Sequence, residues 1–113
     1  MRLIPWVNGY TLILMETPSE KARGLQGLSS LPEKTLMLFS GVSAGSYFHT
    51  KNCLFPIDII SLDGSFSVLD IWTVQPEQDR IGPTPLDSQF VLEAPAGWAK
   101  AGKIKKGSRL ARC

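Results

Sequence analysis

The stretch Ile57-Asp58-Ile59-Ile60-Ser61-Leu62-Asp63-Gly64-Ser65-Phe66-Ser67-Val68-Leu69-Asp70-Ile71-Trp72-Thr73-Val74 decides the fold. Two β-prone runs flank Asp-Gly, a strong hairpin signal because a two-residue turn needs positive φ at both central positions. With Asp63-Gly64 as that turn, Ile59 faces Val68, Ile57 faces Asp70 and Ser61 faces Phe66. One face then carries Ile57, Ile59, Ser61, Phe66, Val68, Asp70 and Trp72. The other carries Asp58, Ile60, Leu62, Ser65, Ser67, Leu69 and Ile71. Both faces are largely apolar and both need cover, which predicts a sandwich or barrel with a helix packed on one side.

Upstream, Tyr10 to Met15 reads as a strand ending at Glu16-Thr17-Pro18-Ser19-Glu20. Thr17 is placed to cap a helix, Pro18 to open it and Glu20 to return a hydrogen bond, since each satisfies or removes an orphan amide. The helix runs through Lys21, Ala22 and Arg23, with Gly24 or Gly27 available to end it. Leu36 to Phe39 reads as a strand, Ser40 to Ser46 as a turn and Tyr47 to Cys53 as a second extended run. Downstream, Gln75 to Gln89 holds Pro76, Pro83 and Pro85 and reads as a long surface loop, a kind of segment that is often functional in small domains. Phe90 to Ala94 is a further strand, Pro95 to Ala101 a short helical turn stopped by Gly102, and Ile104 to Arg109 a turn and final strand.

A chain of 113 residues has room for a single domain, 1–113. Its 43% hydrophobic and 19% charged residues suit a packed core rather than a disordered chain. Ten Gly and eight Pro favour many short elements joined by turns. Apolar runs stay far below the ~20 residues of a membrane span, so no membrane partner is expected. Pro5 interrupts the N-terminus before an export signal could form. Two cysteines, Cys53 and Cys113, are too few for a disulfide framework and read as unpaired thiols of a reducing compartment. These features point to the cytoplasm, or to a particle assembled there.

The net charge of +2 conceals an asymmetry. Residues 1–93 hold six Lys or Arg against ten acids, a net −4, whereas residues 94–113 hold six Lys or Arg and no acid. Within that basic end Lys103, Lys105, Lys106 and Arg109 are candidates for contact with an acidic protein partner. No aromatic residues interleave the final lysines, which argues against a nucleic-acid partner. A homo-oligomer is compatible with everything above.

Asp58 lies on the face of Ile60 and Leu62 and needs a partner, because an unpaired buried charge is costly. Lys51 or Arg23 is suited to pair with it and Asn52 to donate hydrogen bonds. The set Arg23, Lys51, Asn52 and Asp58 reads either as a buried structural ion-pair network or as a polar pocket for a small ligand. In an extended segment His49, Lys51 and Cys53 point to one side, and a thiol beside a cation can become a nucleophile. That thiol-enzyme reading lacks an orienting third group and an oxyanion hole. No catalytic residue is therefore assigned. Metal-ligand spacings and phosphate-binding glycine motifs are absent from the sequence, so neither a metal nor a cofactor is assigned.

The blocks Thr17-Pro18-Ser19-Glu20-Lys21-Ala22-Arg23-Gly24-Leu25-Gln26-Gly27, Leu31-Pro32, Met37-Leu38-Phe39, Lys51-Asn52, Pro56-Ile57-Asp58-Ile59-Ile60 and Val91-Leu92-Glu93-Ala94-Pro95-Ala96-Gly97 occur in this order. Together they resemble the family of domain of unknown function 192, small bacterial, archaeal and phage-encoded proteins, from about Tyr10 to Leu110. The resemblance implies a mainly β fold like a jelly-roll sandwich, with one or two short helices and no agreed reaction. It implies recurrent polar positions at Arg23, Lys51, Asn52, Asp58 and Glu93. Where the family usually has Trp-Met before Lys-Asn and Thr after it, this chain has His49-Thr50 and Cys53. The form without an export signal is similar to phage-encoded members. The function expected on these grounds is a non-enzymatic ligand- or protein-binding module. The alternative is a phage virion or assembly component that docks through its basic end.

Overall fold

The fold is that of a computed structural model, which describes residues 2–5, 10–27 and 30–110, with the backbone alone for residues 2–5 and Arg23. Cys113 and Arg112 lie outside the described residues. The chain is mainly β with two short helices. In order these are β1 (Arg2–Pro5), β2 (Thr11–Met15), α1 (Pro18–Arg23), β3 (Thr35–Ser40), β4 (Ile57–Leu62), β5 (Val68–Val74), β6 (Phe90–Pro95) and α2 (Trp98–Ala101). The strands share one hydrogen-bonded sheet of order β1-β2-β3-β6-β4-β5. Only β2 and β3 run parallel, joined by the crossover that contains α1; the other pairs are antiparallel.

Side-chain alternation divides the core between the two faces of this sheet. The first cluster gathers Met15, Met37, Phe39, Ile57, Ile59 and Val91 from the strands and covers them with Leu25, Leu31, Cys53 and Ile81. The second gathers Leu12, Leu14, Leu36, Leu38, Ile60 and Leu62 and is covered by Ala99 of α2, with Trp98, Ile104 and Leu110 packed against it. Cover on both faces is what the apolar hairpin required, and loops and short helices supply it. All six residues of β4 are buried, as befits a strand inside the sheet.

The capping box forms as its residues dictate: Thr17 Oγ1 accepts from the Glu20 amide at 3.1 Å, and Glu20 Oε1 accepts from the Thr17 amide at 3.0 Å. The helix is six residues long and ends at Gly24, whose φ of 50° suits a residue without a Cβ. The hairpin register differs from the expected one. Ile59 pairs with Trp72 and Ile57 with Val74, and the register shifts between Ser61 and Leu62, which pair with Asp70 and Val68. Leu69 is therefore the extra residue of a bulge. This turns Val68, expected beside Ile57 and Ile59, into the second cluster, where Phe66 joins it.

The loop is also wider than two residues. Asp63 Oδ1 accepts from the amides of Ser65 and Ser67, both at 2.9 Å, and from Ser65 Oγ at 2.8 Å, while Phe66 takes the positive φ of 64°. The Asp63 side chain thus supplies a local alternative to the tight turn.

Two other expected extended segments are turns. Residues 49–53 fold back on themselves, with Asn52 at φ 63° and the Cys53 amide donating to the Thr50 carbonyl at 3.1 Å. Thr50, fully buried, holds this turn: its Oγ1 donates to the Gln75 carbonyl and accepts from the Gln78 amide, both at 2.8 Å. Residues 104–109 form a turn fastened to the start of β5, where the Val68 amide donates to the Ser108 carbonyl at 2.7 Å and the Val68 carbonyl accepts from the Gly107 amide at 2.9 Å, and to Ser67 through the Ser67–Arg109 bridge. No helix among the described residues is long and apolar enough to cross a membrane.

Candidate functional site

Strand β6 lies between β3 and β4, and Glu93 pairs across it with Met37 on one side and Ile59 on the other. Its carboxyl therefore belongs to the first apolar face, and the residue is 5% exposed. Among the described residues no hydrogen bond or ion pair reaches it, and burial pushes its pKa up to about 8. An acid held neutral in this way can donate a hydrogen bond at physiological pH.

Above Glu93 is a pocket of about 310 Å³, within the range of small-molecule sites. Phe39, Tyr47 and Phe48 wall it, and α1 with its following turn closes one side through Ala22 and Leu25. The Phe39 and Phe48 rings meet edge to face with centroids 6.1 Å apart. Lys21 and His49 supply its basic groups. His49 is exposed, and its Nδ1 accepts from the Lys51 amide at 3.2 Å. Tyr47 also carries the Arg80 guanidinium over its ring at 4.1 Å, an exposed cation–π contact.

The pocket wall is built by the turn at 49–53 and by the 75–84 loop behind it. Phe48 and Ile81 exchange backbone hydrogen bonds of 2.8 and 2.9 Å, and Thr50 ties the turn to Gln75 and Gln78. The Asn52 amide donates to Glu77 Oε1 at 2.9 Å, and its carbonyl accepts from the Gly27 amide at 2.9 Å, which joins this turn to the end of the α1 region. Cys53 also faces the pocket, as a free thiol. Burial pushes the Cys53 thiol up, with the carboxylates of Glu93 and Glu77 adding to the effect. That favours the protonated thiol, the opposite of what a nucleophile needs.

Of the four residues expected to form a polar cluster, Lys51 and Asn52 share one turn and Asp58 is parted from them, while the Arg23 side chain lies outside the described residues. Lys51 is exposed, with Nζ 3.0 Å from Asp79 Oδ1, a surface ion pair beside the pocket wall. Asn52 is in the same turn, and the backbone of Arg23 closes α1. Asp58 lies on the opposite face of the sheet, 1% exposed. Its Oδ1 accepts from Thr73 Oγ1 at 2.7 Å and its Oδ2 from the Ala99 amide at 3.0 Å. The expected pairing of Asp58 with Lys51, and the hydrogen bonds expected from Asn52, are thus replaced by a hydroxyl and a backbone amide of α2, because the sheet stands between them; the Arg23 side chain, the other expected partner, lies outside the described residues. Lys103, Lys105, Lys106 and Arg109 are all exposed on the segment after α2. Lys106 Nζ is 3.6 Å from Asp70, and Arg109 Nε donates to the Ser65 carbonyl at 3.4 Å.

Glu93 is the residue whose importance the sequence understated. The available signal was an acid inside the otherwise apolar run Phe90-Val91-Leu92-Glu93-Ala94, which a buried central strand does not place there without cause. Among the described residues no group of three or more His, Cys, Asp or Glu side chains is arranged to hold a metal ion.

Two solved structures share this fold. A candidate transcription regulator from Sinorhizobium meliloti 1021 is 25% identical with a TM-score of 0.78, over 96% of this chain and 88% of that one. A protein of unknown function from Novosphingobium aromaticivorans DSM 12444 is 23% identical with a TM-score of 0.75, over 96% and 91%. No curated protein matches the sequence. A family model, DUF192, described as Uncharacterized ACR, matches residues 7–112, nearly the whole length. The chain belongs to the DUF192 family.

Proposed function

We propose that the protein is a non-enzymatic binding module whose ligand is a small molecule held in the pocket over Glu93. The observation that carries this reading is a carboxyl on the central strand, nearly fully buried, facing an aromatic-walled pocket and lacking a partner among the described residues. Among the described residues no fully buried side-chain polar atom lacks a hydrogen-bond partner, so the carboxyl of Glu93 opens into the pocket that it lines, and perturbed acids in clefts concentrate at functional sites. Lys51 and Asn52 serve this site by holding the turn that presents His49 and Cys53, and Arg23 by ending the helix that forms one wall. Asp58 supports the sheet from behind by anchoring α2. His49 stands in the pocket lining at the position where the family resemblance implies Trp, which makes that side of the proposed site more polar.

A fragment screen followed by amide chemical shifts tests the reading. Hits are expected to perturb Phe39, Phe48, Cys53 and Glu93 together. Hits that instead gather around Ala99 and Ile104, on the opposite face, would show that the site lies elsewhere.

A second reading rests on the exposure of Lys103, Lys105, Lys106 and Arg109 on one acid-free segment. It is docking onto an acidic protein partner, as in an assembled particle. Such docking weakens as salt rises, because exposed charges are screened within about 10 Å at 0.1 M.

A further inference from the structure

We propose that the pocket selects a small organic ammonium ion, its charge set against the Glu93 carboxylate and its apolar body against Phe39, Tyr47 and Phe48. This rests on the reading of the pocket as a ligand site and names the ligand's chemical class.

Three observations converge on a cation. The charge-bearing group that strand β6 brings into the pocket is an acid, and among the described residues no cation pairs with it. The walls around it are aromatic, and ring faces attract ammonium groups most strongly when water is excluded. The basic groups among the described pocket residues form no ion pair with Glu93. His49 is exposed, and Lys21, on α1, has its Nζ lying against Gly41, 3.1 Å from where a Cβ would be. An anionic or neutral ligand can do no more than accept a hydrogen bond from the protonated acid, whereas a cation gives the ionised carboxylate a counter-charge. An ammonium ion satisfies both the acid and the rings.

The proton balance gives this binding a signature. Before binding, Glu93 holds its proton through neutral pH because burial disfavours the carboxylate. When R–NH3+ enters, the Glu93 O–H bond breaks, the proton passes to solvent and the carboxylate–ammonium pair remains. The other titratable groups facing the pocket are Lys21 from α1 and Tyr47, His49 and Cys53 from the 47–53 segment; strand β3 brings Phe39, which does not titrate. None of them needs to change charge.

Calorimetry on the full chain, with phenethylammonium, 2-phenylethanol and 3-phenylpropanoate as probes, tests the proposal. Phenethylammonium is expected to bind most tightly, with affinity rising about tenfold per pH unit between pH 6 and 7.5 and about one proton released to buffer. Glu93→Gln is expected to weaken it at least about tenfold and abolish the proton release. Lys21→Gln, which leaves the acid intact, is expected to bind at least as tightly as wild type, and it keeps the test decisive should the Glu93 variant fold poorly. If 2-phenylethanol or 3-phenylpropanoate binds as tightly as the amine with no proton release, the ammonium assignment fails while the pocket remains a ligand site. If no probe binds and the amide signals of Phe48 and Cys53 stay unmoved at millimolar concentration, both readings fail.

Discussion

Asp58 and Ala99 are 41 positions apart in sequence yet directly bonded, the carboxylate Oδ2 accepting the Ala99 amide at 3.0 Å inside the second apolar cluster. The other oxygen takes the Thr73 hydroxyl at 2.7 Å, so one side chain ties β4 to β5 and to the start of α2. Helix α2 is four residues long and has no side-chain cap of its own at Gly97, which makes Asp58 its distant substitute. Asp58→Ala is expected to cost about 2–3 kcal/mol, since it leaves a buried amide unsatisfied, and Asp58→Asn about half of that. Urea unfolding with an unchanged m-value is the check.

Glu93 makes stability depend on pH in a direction unusual for an acid. In the unfolded chain it ionises around its ordinary value of 4.5, whereas in the native protein it keeps its proton to about 8. Between those limits the native state binds more protons, so this residue's contribution to stability falls as pH rises from about 4.5 to 8 and is constant above. Glu93→Gln removes that slope. At pH 7 the variant is expected to be more stable than wild type by a few kcal/mol, and at pH 4 equal to it. A wild-type advantage at pH 7 in thermal unfolding would contradict the burial argument.

Thr50 holds the pocket wall from the inside. It bonds Gln75 and Gln78 through its hydroxyl, and its amide donates to the Gln78 carbonyl at 2.8 Å. Thr50→Val keeps the shape and removes the hydroxyl, so a loss of about 1–3 kcal/mol is expected. Faster hydrogen exchange at the Phe48 and Ile81 amides, which bridge the two loops, would show that the loss is local to the wall.

Cys53 is a poor nucleophile by position. In a Cys113→Ser background, alkylation by iodoacetamide at pH 7 is expected to be at least about tenfold slower than that of a free thiol such as glutathione. Labelling as fast as glutathione would mean that the turn at 49–53 opens readily.

The features legible in the sequence are those that neighbouring residues settle among themselves. Thr17, Pro18 and Glu20 cap α1 because each bond spans three or four positions. The apolar run at Ile57 to Leu62 announces a buried strand. Register was not legible in this way: Leu69 bulges and Asp63 collects the amides of Ser65 and Ser67, so Phe66 and Val68 reach the second cluster. That outcome depends on which cluster has space, a tertiary matter. Likewise His49, Lys51 and Cys53 alternate in sequence, but the buried hydroxyl of Thr50 folds their segment into a turn and separates Cys53 from the exposed pair. Asp58 parted from Lys51 and Asn52 because spacing along the chain says nothing about which side of the sheet a residue will occupy. Asp58 and Glu93, both acids on neighbouring strands, end on opposite sides.

The division of the core into two faces also divides the chromophores. Trp72 packs against the cluster beside the pocket and Trp98 against the one behind the sheet. With Trp6 replaced by Phe, the Trp72→Phe and Trp98→Phe proteins would each emit from a single side of the sheet. Fluorescence melting of that pair would therefore reveal whether the pocket side loosens before the side that Asp58 fastens, or whether both dissolve in one cooperative step.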